Sequence, residues 1–120
     1  NEAFDWDPKE SLSLPWGSLS VGETAEFGIN ENFFEGRKFT IKFRKGGERF
    51  CPSNREKSNE LKKLFQEWEV PPWERVLTPL IYYNDELIAV AGLGVAREIV
   101  RKFGSGKRCL GFLWKNSIYG

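Results

Sequence analysis

The residues best suited to chemistry in this sequence are cations set around a paired glycine. Arg44, Lys45 and Arg49 flank Gly46-Gly47, and Arg55, Lys57, Lys62 and Lys63 follow closely. Arginine presents a planar fork that matches a phosphate with two parallel hydrogen bonds, whereas lysine acts as a mobile point charge. Backbone N–H groups at a glycine turn and at a helix start can add donors for phosphate oxygens. Together these groups could follow a nucleic-acid backbone. Any one of them alone is an ordinary surface cation; the information lies in the cluster.

The charge distribution sharpens this reading. The net charge is only +1, but residues 1–36 carry −7 and residues 37–63 carry +7, with the remainder near neutral. Segregation of this kind makes the basic stretch a candidate phosphate-binding patch. One competing arrangement has the acidic first third folding against the basic stretch and neutralising it.

Other chemistries find less support. The sequence contains no His, which removes the commonest proton-transfer group and metal ligand. Glu74-Arg75 and Asp85-Glu86 have no accompanying nucleophile, base or metal set, and Asp85-Glu86 falls where a turn is expected. The "GLGVA" stretch, residues 92–96, lacks the complete dinucleotide fingerprint, and no GxxxxGKS or GxxxxGKT loop occurs. It reads as close packing at a strand end. Cys51 and Cys109 form no metal-ligand spacing and read as free thiols. Trp73 is expected in the core or against a helix end, because a base-stacking role needs an exposed ring.

The elements that must position the cations follow from periodicity. In "KFTIKFRK", residues 38–45, Phe39, Ile41 and Phe43 alternate with Lys38, Thr40, Lys42 and Arg44. That is a half-buried strand with a cationic outer face, turned by Gly46-Gly47. "ERFCP" is expected to pair back as a short strand ending at Pro52. In "SNELKKLFQEWE", Leu61, Leu64, Phe65 and Trp68 form one helical stripe, Ser58 is a candidate N-cap, and Lys62 and Lys63 fall outside the stripe. Pro71-Pro72 stops that helix. Leu80–Tyr83 and Glu86–Ala91 read as a hairpin around Asn84-Asp85, its second strand apolar on both faces and therefore central. A strand near Ser18–Val21, a helix or loop over residues 95–103, and a final strand over residues 107–114 complete the list. The fold class is α+β, with five to seven strands and one main helix.

At 120 residues, 40% hydrophobic and 15% aromatic, the chain reads as one globular domain, residues 1–120, with an acidic lead-in over 1–36 and the motif-bearing body over 37–120. No apolar run reaches the length of a membrane helix. The chain begins at Asn1 and contains no Met, so a piece of a longer protein is expected.

Taken in order, the "GGER" turn, "LKKLFQE", "PPWER", Pro79-Leu80 and "DELIAVAGL" resemble the C-terminal domain of the tRNA(Ile)-lysidine synthetase family, over roughly residues 38 to 95. The resemblance implies a β-rich sandwich-like domain related to one in the phenylalanyl-tRNA synthetase β chain. It implies a parent enzyme that uses ATP, with magnesium, to attach lysine to the wobble cytidine of an isoleucine tRNA. Catalysis in that family belongs to an N-terminal domain with an SGGxDS loop, a motif missing here, so no catalytic residue and no cofactor are expected in this chain. The implied role is to hold tRNA(Ile), towards its acceptor stem, for the N-terminal catalytic domain in the cytoplasm. Arg44, Arg49, Lys62, Lys63 and Arg75 match the family's basic positions, which adds Arg75 to the candidate contacts. Cys51, and the two Glu of "SNREKSNE", depart from the pattern. An alternative is an inter-domain or homodimer module of the same enzyme that makes no direct tRNA contact.

Overall fold

The computed structural model describes residues 3–25, 28–104 and 108–119. Of the features expected above, Glu2 and Glu26 of the acidic third and Lys107 of the last strand lie outside these residues.

The chain opens with three strands, β1 (Phe4–Trp6), β2 (Leu12–Leu14) and β3 (Gly17–Glu23), then a short β4 (Ile29–Asn30) and a 3-10 turn over Glu31–Phe34. The cationic strand β5 spans Phe39–Lys42. A two-residue ribbon, β6 (Arg49–Phe50) and β7 (Asn59–Glu60), leads into helices α1 (Leu61–Glu67) and α2 (Pro72–Arg75). The hairpin β8 (Leu80–Tyr83) and β9 (Glu86–Val90) follows, then β10 (Gly94–Val95), α3 (Arg97–Phe103) and β11 (Cys109–Asn116).

Two antiparallel sheets result, ordered β1-β5-β8-β9-β10 and β2-β3-β11-β4. They face each other across an aromatic core in which Trp6, Phe39, Ile41 and Ile81 of the first sheet meet Leu19, Ile29 and Phe112 of the second. Phe39 and Phe112 pack edge-to-face at 5.4 Å, a geometry favoured by the ring quadrupoles. The other face of the first sheet is covered by α1: Leu61, Leu64 and Phe65 pack on Leu80, Val90 and Phe50. Each such side chain contributes about 1.5–3 kcal/mol by leaving water. The double coverage explains why β9 is apolar on both faces. A bulge between Ile81 and Tyr82 in the β8–β9 ladder accompanies the burial of the consecutive residues Ile88, Ala89 and Val90.

The α+β sandwich agrees with expectation, but several details are corrected. The segment over residues 95–103 takes its helical alternative as α3, the short α2 joins α1, and the described residues contain eleven strands, most of them short, where five to seven are expected. The segment around Arg49 pairs with Asn59–Glu60, not with the cationic strand. This pairing delays the helix to Leu61, so Ser58 is not its N-cap; Glu60 stands there with no side-chain capping bond. The cationic strand itself ends at Lys42 because the glycine turn draws Phe43–Lys45 out of the ladder. Trp73 is not in the core: its side chain is mostly solvent-exposed. The hairpin turn is confirmed in detail, with Asn84 and Asp85 at φ 49° and 65°, the left-handed pair a two-residue turn requires.

Candidate nucleic-acid interface

The cations are organised by an acid. Gly46 and Gly47 adopt φ values of 116° and 86°, open to glycine and strained for other residues. The turn they make is closed by Glu48, whose carboxylate accepts the backbone N–H of Lys45 at 2.6 Å and of Gly46 at 3.0 Å. The Glu48 carbonyl accepts the N–H of Leu61 at 2.8 Å, stitching the start of α1 to the same turn. Partial burial tends to raise the Glu48 pKa, but the hydrogen bonds from the Lys45, Glu48 and Gly46 backbone, with Arg44 nearby, outweigh it and hold the group below its ordinary 4.5. The turn's Lys45 and Gly46 N–H groups are thus already engaged and not free for phosphate, as is the first N–H of the helix. The side chains carry the site.

Those side chains fall into three groups. Arg44 is half-buried, its guanidinium 5.9 Å from the Phe65 ring centre, with Nε buried and unpartnered among the described residues. Arg49 is tethered across the ribbon: Nε donates to Ser58 Oγ at 3.3 Å and Nη2 to the Ser58 carbonyl at 3.1 Å. The residue expected to cap a helix instead orients an arginine. Lys45, Lys57, Lys62 and Lys63 are exposed, with Lys62 and Lys63 on the first turn of α1, adjoining the stitched Glu48. Arg55 stands apart from free cations, because it forms an ion pair with Glu67 at 2.7 Å. That pairing raises the Arg55 pKa and lowers that of Glu67. Arg75 lies on α2, past the end of α1, where Nε donates to the Val70 carbonyl at 2.7 Å.

The structure therefore brings Arg44, Lys45, Arg49, Lys62 and Lys63 around one turn, holds Arg55 in an ion pair, and leaves Arg75 at the far end of the helix. Lys42 was missed. Its Nζ sits 4.7 Å from the ring centre of Tyr82, on the face of the first sheet that α1 partly covers. The strand alternation already placed Lys42 on that outer face beside Arg44. Tyr82 resists ionisation, its pKa raised by burial and by Glu48. Arg37, by contrast, belongs to the core boundary, its guanidinium 4.6 Å from Phe33, 5.4 Å from Tyr83 and 5.1 Å from Phe103.

The acidic third does not neutralise this cluster by ion pairing among the described residues. Its Glu23 and Glu31 pair with Arg108, at 2.8 Å and 3.4 Å, on the second sheet. No group of three or more Cys, Asp or Glu residues among those described could hold a metal ion. No helix among them is long and apolar enough to cross a membrane.

Residues 39–110 match the family described as the TilS substrate C-terminal domain, a span that includes the turn, the ribbon and all three helices. The chain belongs to this family. It is 43% identical over 91 residues to the tRNA(Ile)-lysidine synthase of Coxiella burnetii, covering 74% of this chain and 20% of that protein. The corresponding enzyme of Photobacterium profundum is 49% identical over 91 residues, covering 74% and 21%. That of Edwardsiella ictaluri is 36% identical over 100 residues, covering 82% and 22%. The chain thus spans about a fifth of the length of these curated relatives. A crystal structure of a TILS C-terminal domain superposes with a TM-score of 0.67 over 96% of this chain and 98% of that one, at 19% identity. That likeness shows a shared sandwich fold.

Proposed function

We propose that this domain binds tRNA(Ile) through the cationic cluster and positions it for lysine attachment to the wobble cytidine by a separate catalytic domain of the parent lysidine synthase. The observation that carries the reading is the ordered turn. Glu48 fixes the backbone at Lys45-Gly46, Ser58 aims Arg49, and the helix start sets Lys62 and Lys63 beside them. Cations held at fixed spacing meet a phosphate backbone with less ordering cost than the same charges on mobile loops. The contacts go to phosphates, so they orient the RNA without reading its sequence. In this reading the acceptor-stem side of the tRNA lies against the domain, in the cytoplasm. ATP and magnesium act in the catalytic part of the parent, and this chain takes no step in that chemistry.

The test is the salt dependence of tRNA binding by the 120-residue chain. About five phosphate contacts give a slope of log affinity against log salt of about −3 to −5. Reversing charge at Arg44, Arg49, Lys62 and Lys63 is expected to abolish binding while leaving the sedimentation coefficient unchanged. Affinity that stays flat between low and moderate salt refutes the proposal. Intact RNA affinity with a changed sedimentation coefficient identifies the surface as an inter-domain or dimer contact instead.

A further inference from the structure

We propose that Trp73 and Tyr119 form a stacking platform for an unpaired nucleobase of the bound RNA, a reading that rests on the tRNA-binding role proposed above. Trp73 is 61% exposed and Tyr119 is 70% exposed, in a chain that buries Trp6 and most of its phenylalanines. The exposure is not disorder of position. Trp73 Nε1 donates to the Tyr119 hydroxyl at 2.8 Å, and that hydroxyl donates to Glu74 Oε2 at 3.0 Å. The other Glu74 oxygen accepts Asn116 Nδ2 at 2.8 Å. Trp73 also sits in a one-turn helix whose start is fixed by Pro71 and Pro72.

This ladder uses up the polar edges. The indole N–H, the phenol and both Glu74 oxygens have partners within the chain. What the two rings still offer to solvent is π surface. Stacking on such surface suits any nucleobase, because every base has a π face, and single-strand binders combine it with a cationic track for the backbone. A protein partner fits less well. Specific protein interfaces engage about 20–30 residues on each side. The exposed large apolar side chains among the described residues are only Trp73, Val76, Leu113 and Tyr119. Leu113 takes no part in the ladder's hydrogen bonds, so the ladder's own patch is a few side chains wide, the scale of one or two nucleotides. Its helix α2 is the next in the chain after α1, the helix that carries Lys62 and Lys63.

The test compares Trp73→Ala, Trp73→Phe and the unaltered chain. Tryptophan fluorescence is followed on adding an oligoadenylate, and affinity is measured for tRNA and for a blunt RNA duplex. Quenching by the oligoadenylate is expected in the unaltered chain and is expected to be largely lost in Trp73→Phe, assigning the signal to this ring. Trp73→Ala is expected to weaken tRNA binding about 5- to 100-fold, with the salt slope unchanged because no phosphate contact is removed. Trp73→Phe keeps a stacking ring and is expected to retain most of the affinity. Blunt duplex is expected to bind Trp73→Ala and the unaltered chain alike. Because the side chain is exposed, circular dichroism should be the same for all three proteins. The platform is refuted if Trp73→Ala binds tRNA within about twofold of the unaltered chain, if quenching survives in Trp73→Phe, or if duplex binding falls equally. It is also refuted if Trp73→Ala lowers the sedimentation coefficient, which would mean a protein covers the face. Loss of tRNA binding on charge reversal at Lys62 and Lys63, with Trp73→Ala unaffected, overturns the platform but leaves the cationic site standing. A flat salt response in the unaltered chain removes both.

Discussion

Replacing Glu48 with Ala separates two views of the cationic cluster. On charge alone, deleting an acid from a basic stretch should tighten RNA binding. A charge removed at roughly 8 Å through water is worth about 0.5 kcal/mol, and less once salt screens it. The structure assigns Glu48 a larger, opposing effect. Its carboxylate holds two backbone N–H groups, at 2.6 Å and 3.0 Å, much as a helix cap does. Removing a cap costs about 0.5–2 kcal/mol, and the exposed setting puts this case near 1–1.5 kcal/mol. The released segment contains Gly46 and Gly47, which regain more backbone freedom than other residues and must lose it again on binding. The net expectation is weaker tRNA binding by about 0.5–1 kcal/mol, or roughly two- to fivefold. The deficit should grow as salt rises, because screening removes only the compensating gain. Glu48→Gln keeps an acceptor oxygen and should fall between. Fluorescence anisotropy with labelled tRNA at several salt concentrations measures this. Tighter binding by Glu48→Ala at every salt concentration refutes the ordering role. Acid supplies a second measurement. The folded pKa of Glu48 is depressed below 4.5, so its contribution to folding is complete above that pH and fades as pH falls through the folded value. Between about pH 5 and pH 3, Glu48→Gln should therefore lose less stability than the unaltered chain.

Two further predictions concern the scaffold. Arg37→Ala removes a cation packed against three rings and the 2.8 Å hydrogen bond from Nη1 to the Phe33 carbonyl. It should destabilise the domain by about 2 kcal/mol in urea unfolding with little change in the salt slope of tRNA binding; a changed slope would place Arg37 among the phosphate contacts. Asp85→Gly relieves the φ of 65° at the hairpin turn and should raise stability by about 0.5 kcal/mol, whereas Asp85→Val should lower it; equal unfolding midpoints for the two variants would contradict the turn assignment.

The parts of the fold legible in the sequence are those with local signals. The hairpin around Asn84-Asp85, the α1 stripe and the Phe39/Ile41 alternation could each be read from a few neighbouring residues. The two-residue strands β4, β7 and β10 could not, and β6 could be read as a strand but not its partner. So few residues carry no period, and β4 exists because a distant partner supplies its hydrogen bonds, as when Leu110 pairs with Ile29. The same distance dependence explains the misplaced helix start. Ser58 has the chemistry of a cap, but Arg49, nine residues earlier, claims both its hydroxyl and its carbonyl. The general behaviour of tryptophan places Trp73 in the core or against a helix end; its exposed position instead carries a hydrogen bond to Tyr119, which reaches Glu74 across 45 residues.

Charge counting fails in this site for the same reason. Ten cations occupy residues 37–63, yet the fold gives them different work. Arg37 fills an aromatic box and Arg55 answers Glu67, so neither is a free charge. Arg49 gives Nε and Nη2 to Ser58 and keeps Nη1 for a ligand. Arg44 lies against Phe65 with its Nε enclosed. Lys42 lies over the Tyr82 ring, and the remaining freedom belongs to the exposed Lys38, Lys45, Lys57, Lys62 and Lys63, whose stems are flexible. The site thus combines arginines fixed by the protein with lysines that adapt to the ligand. Fixed forks set where a phosphate can sit, while mobile point charges add attraction without demanding one geometry. Such a surface suits a domain that must hold one RNA body in register while its chemistry happens elsewhere. Glu48, which closes the turn and accepts from Leu61 at the start of α1, ties the fixed and mobile parts together.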